Sequence, residues 1–63
     1  MYNSTFWFDN IQNAAREVKA NGGNDEIINH VFNKYDAQSF DDLDHCYYAE
    51  VFYELDFIAN DLR

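Results

Sequence analysis

The only two glycines of this 63-residue chain are adjacent, Gly22 and Gly23, and there is no proline. A chain punctuated once can run as helix on both sides of the break. Gly readily takes the left-handed conformation that closes a helix, and no Pro removes a backbone donor elsewhere. Before the break, Trp7, Ile11, Ala14, Ala15 and Val18 recur at helical spacing. A first helix is therefore expected from about residue 5 to Asn21. Ser4 or Thr5 could cap it, and Asp9 with Gln12 offers a later capping-box start. The β propensity of Phe6, Trp7 and Phe8 leaves residues 2–8 open between helix and extended chain.

After the break, Asn24 can cap a second helix, with Asp25 and Glu26 in a first turn where the helix dipole favours acids. Ile28, Val31, Phe32 and Tyr35 then form one apolar stripe. This helix should fade near Asp36, with a loop over residues 36–38. Ser39 with Asp42 three residues later is a second capping-box pattern, so residues 39–63 read as one long third helix. The expected fold is all-α: a small three-helix domain over residues 1–63, with a long acidic C-terminal helix, and dimeric.

The dimer is expected because a chain this short buries only roughly 60% of its unfolded surface. One Cys excludes an internal disulfide. Six Phe, five Tyr and one Trp compensate with ring area, and oligomerisation is the remaining aid. No basic segment precedes an apolar run, and no apolar stretch approaches the roughly 18 residues of a membrane span. A soluble protein of the cytoplasm is expected.

Twelve acids against four bases give a formal charge of −8. Such a charge opposes direct contact with nucleic acid or an anionic membrane and favours a partner with a positive surface. The competing reading is that it keeps an aromatic-rich chain soluble. Most of the excess lies in Asp36, Asp41, Asp42, Asp44, Glu50, Glu54, Asp56 and Asp61, with no Lys or Arg before Arg63. On a helical wheel Tyr47, Tyr48, Val51, Phe52, Leu55, Ile58, Ala59 and Leu62 form a broad apolar face, and Glu50, Glu54 and Asp61 cluster opposite. Cys46, Tyr53 and Phe57 flank that cluster, either wrapped by the bundle or exposed as a strip for a partner or second copy. Asp44 falls on the core side, which suggests a bend there.

Helix physics accounts for some of the acids. Asp25, Glu26, Asp41 and Asp42 stand near helix starts. Glu50 and Glu54 are a like-charged i, i+4 pair. Asp36, Asp56 and Asp61 lie toward C-terminal ends, where the dipole disfavours them. Acids that cost stability where they stand are the stronger functional candidates. Were residues 36–61 one helix they would span about 39 Å, one acid per roughly 5 Å. Duplex DNA carries about one charge per 1.7 Å, so imitation of DNA would need Asp25, Glu26 or a second copy to add to the surface, the second copy above all.

Catalytic and metal patterns are weak. Asp41, Asp42, Asp44, His45 and Cys46 fit no zinc spacing, and residues 36–44 lack the Gly of a calcium loop. His45 and Cys46, adjacent on a helix, would point about 100° apart. No Gly-rich phosphate loop and no Ser/His/Asp set is present. No metal, no cofactor and no enzymatic activity are expected.

One segment, Tyr47-Tyr48-Ala49-Glu50-Val51-Phe52, resembles a Tyr-Tyr-Ala-acid-aliphatic-Phe segment of the DNA-mimic antirestriction proteins of T7-like phages. Tyr2-Asn3, Phe8-Asp9, Asp25-Glu26-Ile27 and the acids before Tyr47 follow a similar order. The resemblance implies an acidic helical homodimer that fills the DNA-binding groove of a type I restriction-modification enzyme, or of another defence system such as a CRISPR effector, with Glu50 as one phosphate-imitating acid. A different class of reading is a small acidic adaptor or antitoxin-like regulator that binds through the aromatic strip.

Overall fold

Three helices form: α1 at Ser4–Ala20, α2 at Asp25–Asn33 and α3 at Tyr48–Leu62. The computed structural model describes residues 4–63. Residues 4–8 are helical rather than extended, while Tyr2 and Asn3 lie outside the described residues.

The break after α1 closes as its sequence demands. Gly22 has φ 108°, its N–H donates to the Lys19 carbonyl at 3.3 Å, and the Gly23 N–H donates to the Val18 carbonyl at 2.8 Å. This is the Schellman pair of bonds, with the left-handed position filled by the residue that adopts it freely. Gly23 is required for a different reason. A Cβ there would lie 2.5 Å from Val18 Cγ1 and 2.9 Å from the Val18 carbonyl oxygen. Asn24 then caps α2 from an extended conformation, accepting the Ile27 N–H at 3.0 Å.

α2 closes in the same way without a glycine. Asp36 takes φ 60°. Its N–H donates to the Asn33 carbonyl and the Ala37 N–H to the Phe32 carbonyl, both at 3.2 Å. Ala37 and Phe32, joined by the bond that spans more residues, are both buried in the core, where this motif commonly places apolar residues.

The long third helix expected over residues 39–63 is not formed. Two short 3-10 turns, Phe40–Asp42 and His45–Tyr47, precede α3, which begins at Tyr48. Leu43, with ψ 127°, is extended and buried, and Asp44, with ψ 134°, is extended too. Short acids compete for nearby backbone N–H groups and so favour turns over helix interiors. Asp42 accepts from Gln38 and Ser39, Asp44 accepts from Cys46, and Leu43 between them turns into the core. The bend suggested by Asp44 is a full break. The 15 residues of α3 extend about 22 Å, and the whole body measures 30 × 22 × 14 Å, too short for a 39 Å helix.

α1 and α3 lie side by side and run in the same direction. Trp7 meets Phe52 near their starts, at 6.1 Å between ring centroids, and Asn21 Nδ2 donates to the Ala59 carbonyl near their ends at 2.8 Å. α2 runs back against them. Its far end reaches Glu54 through Tyr35, while Gly23, just before it, approaches Leu62. The core is the three stripes: Ile11, Ala14 and Val18 from α1, Ile28, Val31 and Phe32 from α2, and Val51, Leu55 and Ala59 from α3. Ala37 and Leu43 of the connector complete it. Tyr47 and Leu62, placed by the wheel within the apolar face, lie exposed at its two ends. The connector is pinned by rings: Phe40 stacks on Tyr48 at 4.7 Å and meets Phe8 edge-on at 5.2 Å. That clamp fixes where its acids stand.

Candidate functional site

The connector between α2 and α3 carries four of the candidate acids, and the structure separates their duties. Asp36 is exposed at the left-handed turn position. Asp41 is exposed on the first 3-10 turn. Asp42 folds back on its own backbone, accepting the Ser39 N–H at 3.0 Å and the Gln38 N–H at 3.0 and 3.1 Å. The bonds from Ser39 and Gln38 hold its carboxyl below the usual carboxylate range. Asp44 caps the second turn, accepting the Cys46 N–H at 3.1 Å, and this bond lowers its pKa likewise. His45 Nδ1 lies 3.7 Å from the Asp44 carboxylate. The same carboxylate raises the Cys46 thiol, first by hydrogen bonding and then with burial and charge adding. Cys46 is exposed but is held as the thiol, the opposite of an activated nucleophile.

On α3, Glu50 and Asp61 are exposed. Glu54 is not. The wheel set it with Glu50 and Asp61 on an outward acidic face, whereas it is half-buried against α2, where Lys34 Nζ and the Tyr35 hydroxyl both donate to it. Burial pushes the Glu54 carboxyl up, but the Lys34 and Tyr35 bonds outweigh this and leave it below its ordinary value. The same contact pushes Tyr35 up to about 12, through the hydrogen bond to Glu54, then burial and the negative charge of Glu54 and Glu50. Pairing with Lys34 opposes the expected Glu50–Glu54 repulsion. Nothing in the sequence marks this contact, which joins residues 20 positions apart. Asp56 is half-buried, accepts from Asn60 Nδ2 at 3.4 Å, and lines a shallow groove between α1 and α3 with Asn13 and Arg16.

The structure leaves Tyr53 65% and Phe57 71% exposed. They are one helical turn apart on one face of α3. Cys46, placed with them from the wheel, stands on the 3-10 turn His45–Tyr47, outside that helix.

Cations do little to offset the acids. Lys19 pairs with Asp25 at 3.2 Å and Lys34 with Glu54, while Arg16 Nη1 donates to Asn13 Oδ1 at 3.0 Å. Asp36, Asp41, Glu50 and Asp61 stand exposed, with no Lys or Arg between residues 35 and 62. Among the described residues none that is buried is polar or charged, and no three His, Cys, Asp or Glu groups are placed to hold a metal ion. No helix among them is long and apolar enough to cross a membrane. Comparisons with models of protein families, with curated proteins and with solved structures return no match.

Proposed function

We propose that this chain is a non-enzymatic DNA mimic of phage or mobile-element origin. It acts in the host cytoplasm by occupying the positively charged DNA-binding groove of a defence enzyme, either a type I restriction-modification enzyme or a CRISPR effector. The observation that carries the reading is the set of exposed carboxylates of Asp36, Asp41, Asp42, Asp44, Glu50 and Asp61, with no Lys or Arg between residues 35 and 62. Asp42 and Asp44 belong to it as fixed charges, since their backbone bonds keep them ionised. Of the segment that resembles the antirestriction family, Val51 is core and Tyr48 stacks on Phe40, so Tyr47 and Glu50 are the outward members. Those six exposed acids on a body 30 Å long amount to about one per 5 Å, still sparser than the roughly 1.7 Å of duplex DNA. A second copy therefore remains part of this reading. Such complementarity gives fast association that salt weakens.

The test is cleavage of unmodified DNA by a type I enzyme, and by a CRISPR effector in parallel, with rising amounts of the chain at low and high salt. Inhibition near stoichiometric amounts that fades with salt and that added DNA competes away supports the reading. Undiminished cleavage by both enzymes removes these targets. The strong exposure of Tyr53 and Phe57 favours a second reading, an acidic adaptor or antitoxin-like regulator that binds through that face. Asp41→Lys with Glu50→Lys disables the mimic, whereas Tyr53→Ser with Phe57→Ser disables the adaptor.

A further inference from the structure

The outer face of α3 has the spacing of a coiled-coil seam. Glu50, Tyr53, Phe57 and Asn60 succeed one another at intervals of three and four residues, which are the a and d positions of a heptad. Glu54 and Asp61 then fall at e and Asp56 at g, the positions whose charges choose a partner helix. The seam is short, with Tyr53 and Phe57 as its apolar members, and both sides of it are acidic. Lys34, at the C-terminal cap of α2, is already engaged by Glu54, so it offers nothing to an incoming acid.

We infer that this face receives an amphipathic helix of another protein with apolar residues at a and d and Lys or Arg at e and g. The inference rests on the adaptor reading and supplies the chemistry of its partner. Charge complementarity decides between occupants. A second copy would set Glu50, Asp56 and Asp61 against the same acids, a like-charge pairing that coiled coils use to reject partners. An anionic membrane and a nucleic acid are repelled by the same carboxylates. A basic helix is attracted where these are repelled. Its apolar residues cover Tyr53 and Phe57, and its cations at e and g meet Asp56 and Asp61. An Arg also has the exposed ring of Tyr53 to stack on. Two aromatic anchors fall well short of the roughly 800 Å² per partner of a standard interface, so this contact is weak and reversible.

The experiment titrates the full chain into three labelled synthetic helices, each with Leu at a and d and with Lys, Gln or Glu at e and g. Anisotropy is read at low and high salt. The Lys peptide should bind at least tenfold tighter than the Gln peptide at low salt and lose that advantage at high salt. Tyr53→Ser with Phe57→Ser should weaken it at least tenfold with the far-UV circular dichroism unchanged, and Asp56→Asn with Asp61→Asn should remove the preference for Lys over Gln. Equal binding of the Lys and Gln peptides, both lost in the Ser variant, overturns the basic partner while leaving an aromatic docking face. If no peptide binds, the inference and the adaptor reading fail together. If sedimentation shows a dimer that the Ser variant dissolves, the face belongs to a second copy and the inference is wrong.

Discussion

Asp36 offers a test of the connector that does not depend on any partner. It occupies the left-handed position of the turn that closes α2, at φ 60°. A non-glycine residue there costs roughly 1 kcal/mol, somewhat less for Asp than for most. Asp36 is also a negative charge just past the C-terminal end of α2, an exposed arrangement that costs about 0.3–1 kcal/mol. Asp36→Gly removes both terms, at an entropic cost of roughly 0.5–1 kcal/mol for the more flexible unfolded chain. The net gain is on the order of 0.5 kcal/mol, which for a domain of this size raises Tm by about 2–4 °C. Asp36→Asn removes only the charge and should give a smaller rise. Asp36→Val puts a β-branched residue where it fits worst, and should lose about 1–2 kcal/mol. Thermal unfolding followed by circular dichroism gives the order directly: Gly above Asn, Asn above Asp, Val lowest. A Gly variant less stable than the parent, or a Val variant equal to it, would refute the assignment of Asp36 to this turn.

Other expectations follow from the same geometry. Gly23→Ala should destabilise by about 1–3 kcal/mol, because its Cβ would press on Val18 at 2.5 Å; Gly22→Ala, whose Cβ would meet nothing within 4 Å, should still lose about 1–2 kcal/mol through its φ of 108°, and denaturant midpoints should fall for both. Tyr35 binds its proton more tightly folded than unfolded, with a pKa raised from 10.0 to about 12. Its contribution is therefore complete below pH 10 and is lost as pH rises from about 10 through 12. Tm measured across that window should drop, and Tyr35→Phe should flatten part of the drop; an unchanged slope in the Phe variant would show that Glu54 does not hold this hydroxyl.

The three apolar stripes, the Gly22-Gly23 break and the Asn24 cap were legible because each is local. Spacing within one helix and the conformation of one turn decide them. What misled was the Ser39–Asp42 pattern, which starts a helix when an apolar-periodic run follows at once. Here Leu43 is drawn into the core and Asp44 takes the next backbone donor, so the same pattern closes only one 3-10 turn. The visible conflict was Asp44 on the apolar side of the wheel. The end of α2 near Asp36 was legible in its fading apolar stripe, but the left-handed turn at φ 60° was not, since Gly ordinarily signals it. Among the site residues, the exposure of Tyr53 and Phe57 follows from the wheel, but the capture of Glu54 by Lys34 and Tyr35 depends on how α2 crosses α3, which spacing within a single helix does not encode.

The central claim is that exposed carboxylates compete with DNA for a basic groove. Displacement of a labelled DNA duplex from a type I restriction enzyme by the purified chain, at low and high salt, tests it most directly. The parent chain should displace the duplex at low salt and lose potency as salt rises. A variant with Asp41→Asn, Asp44→Asn, Glu50→Gln and Asp61→Asn should be at least tenfold weaker, while Tyr53→Ser with Phe57→Ser should displace as the parent does. Displacement by the amide variant equal to the parent's, or none by the parent at low salt, would contradict the account.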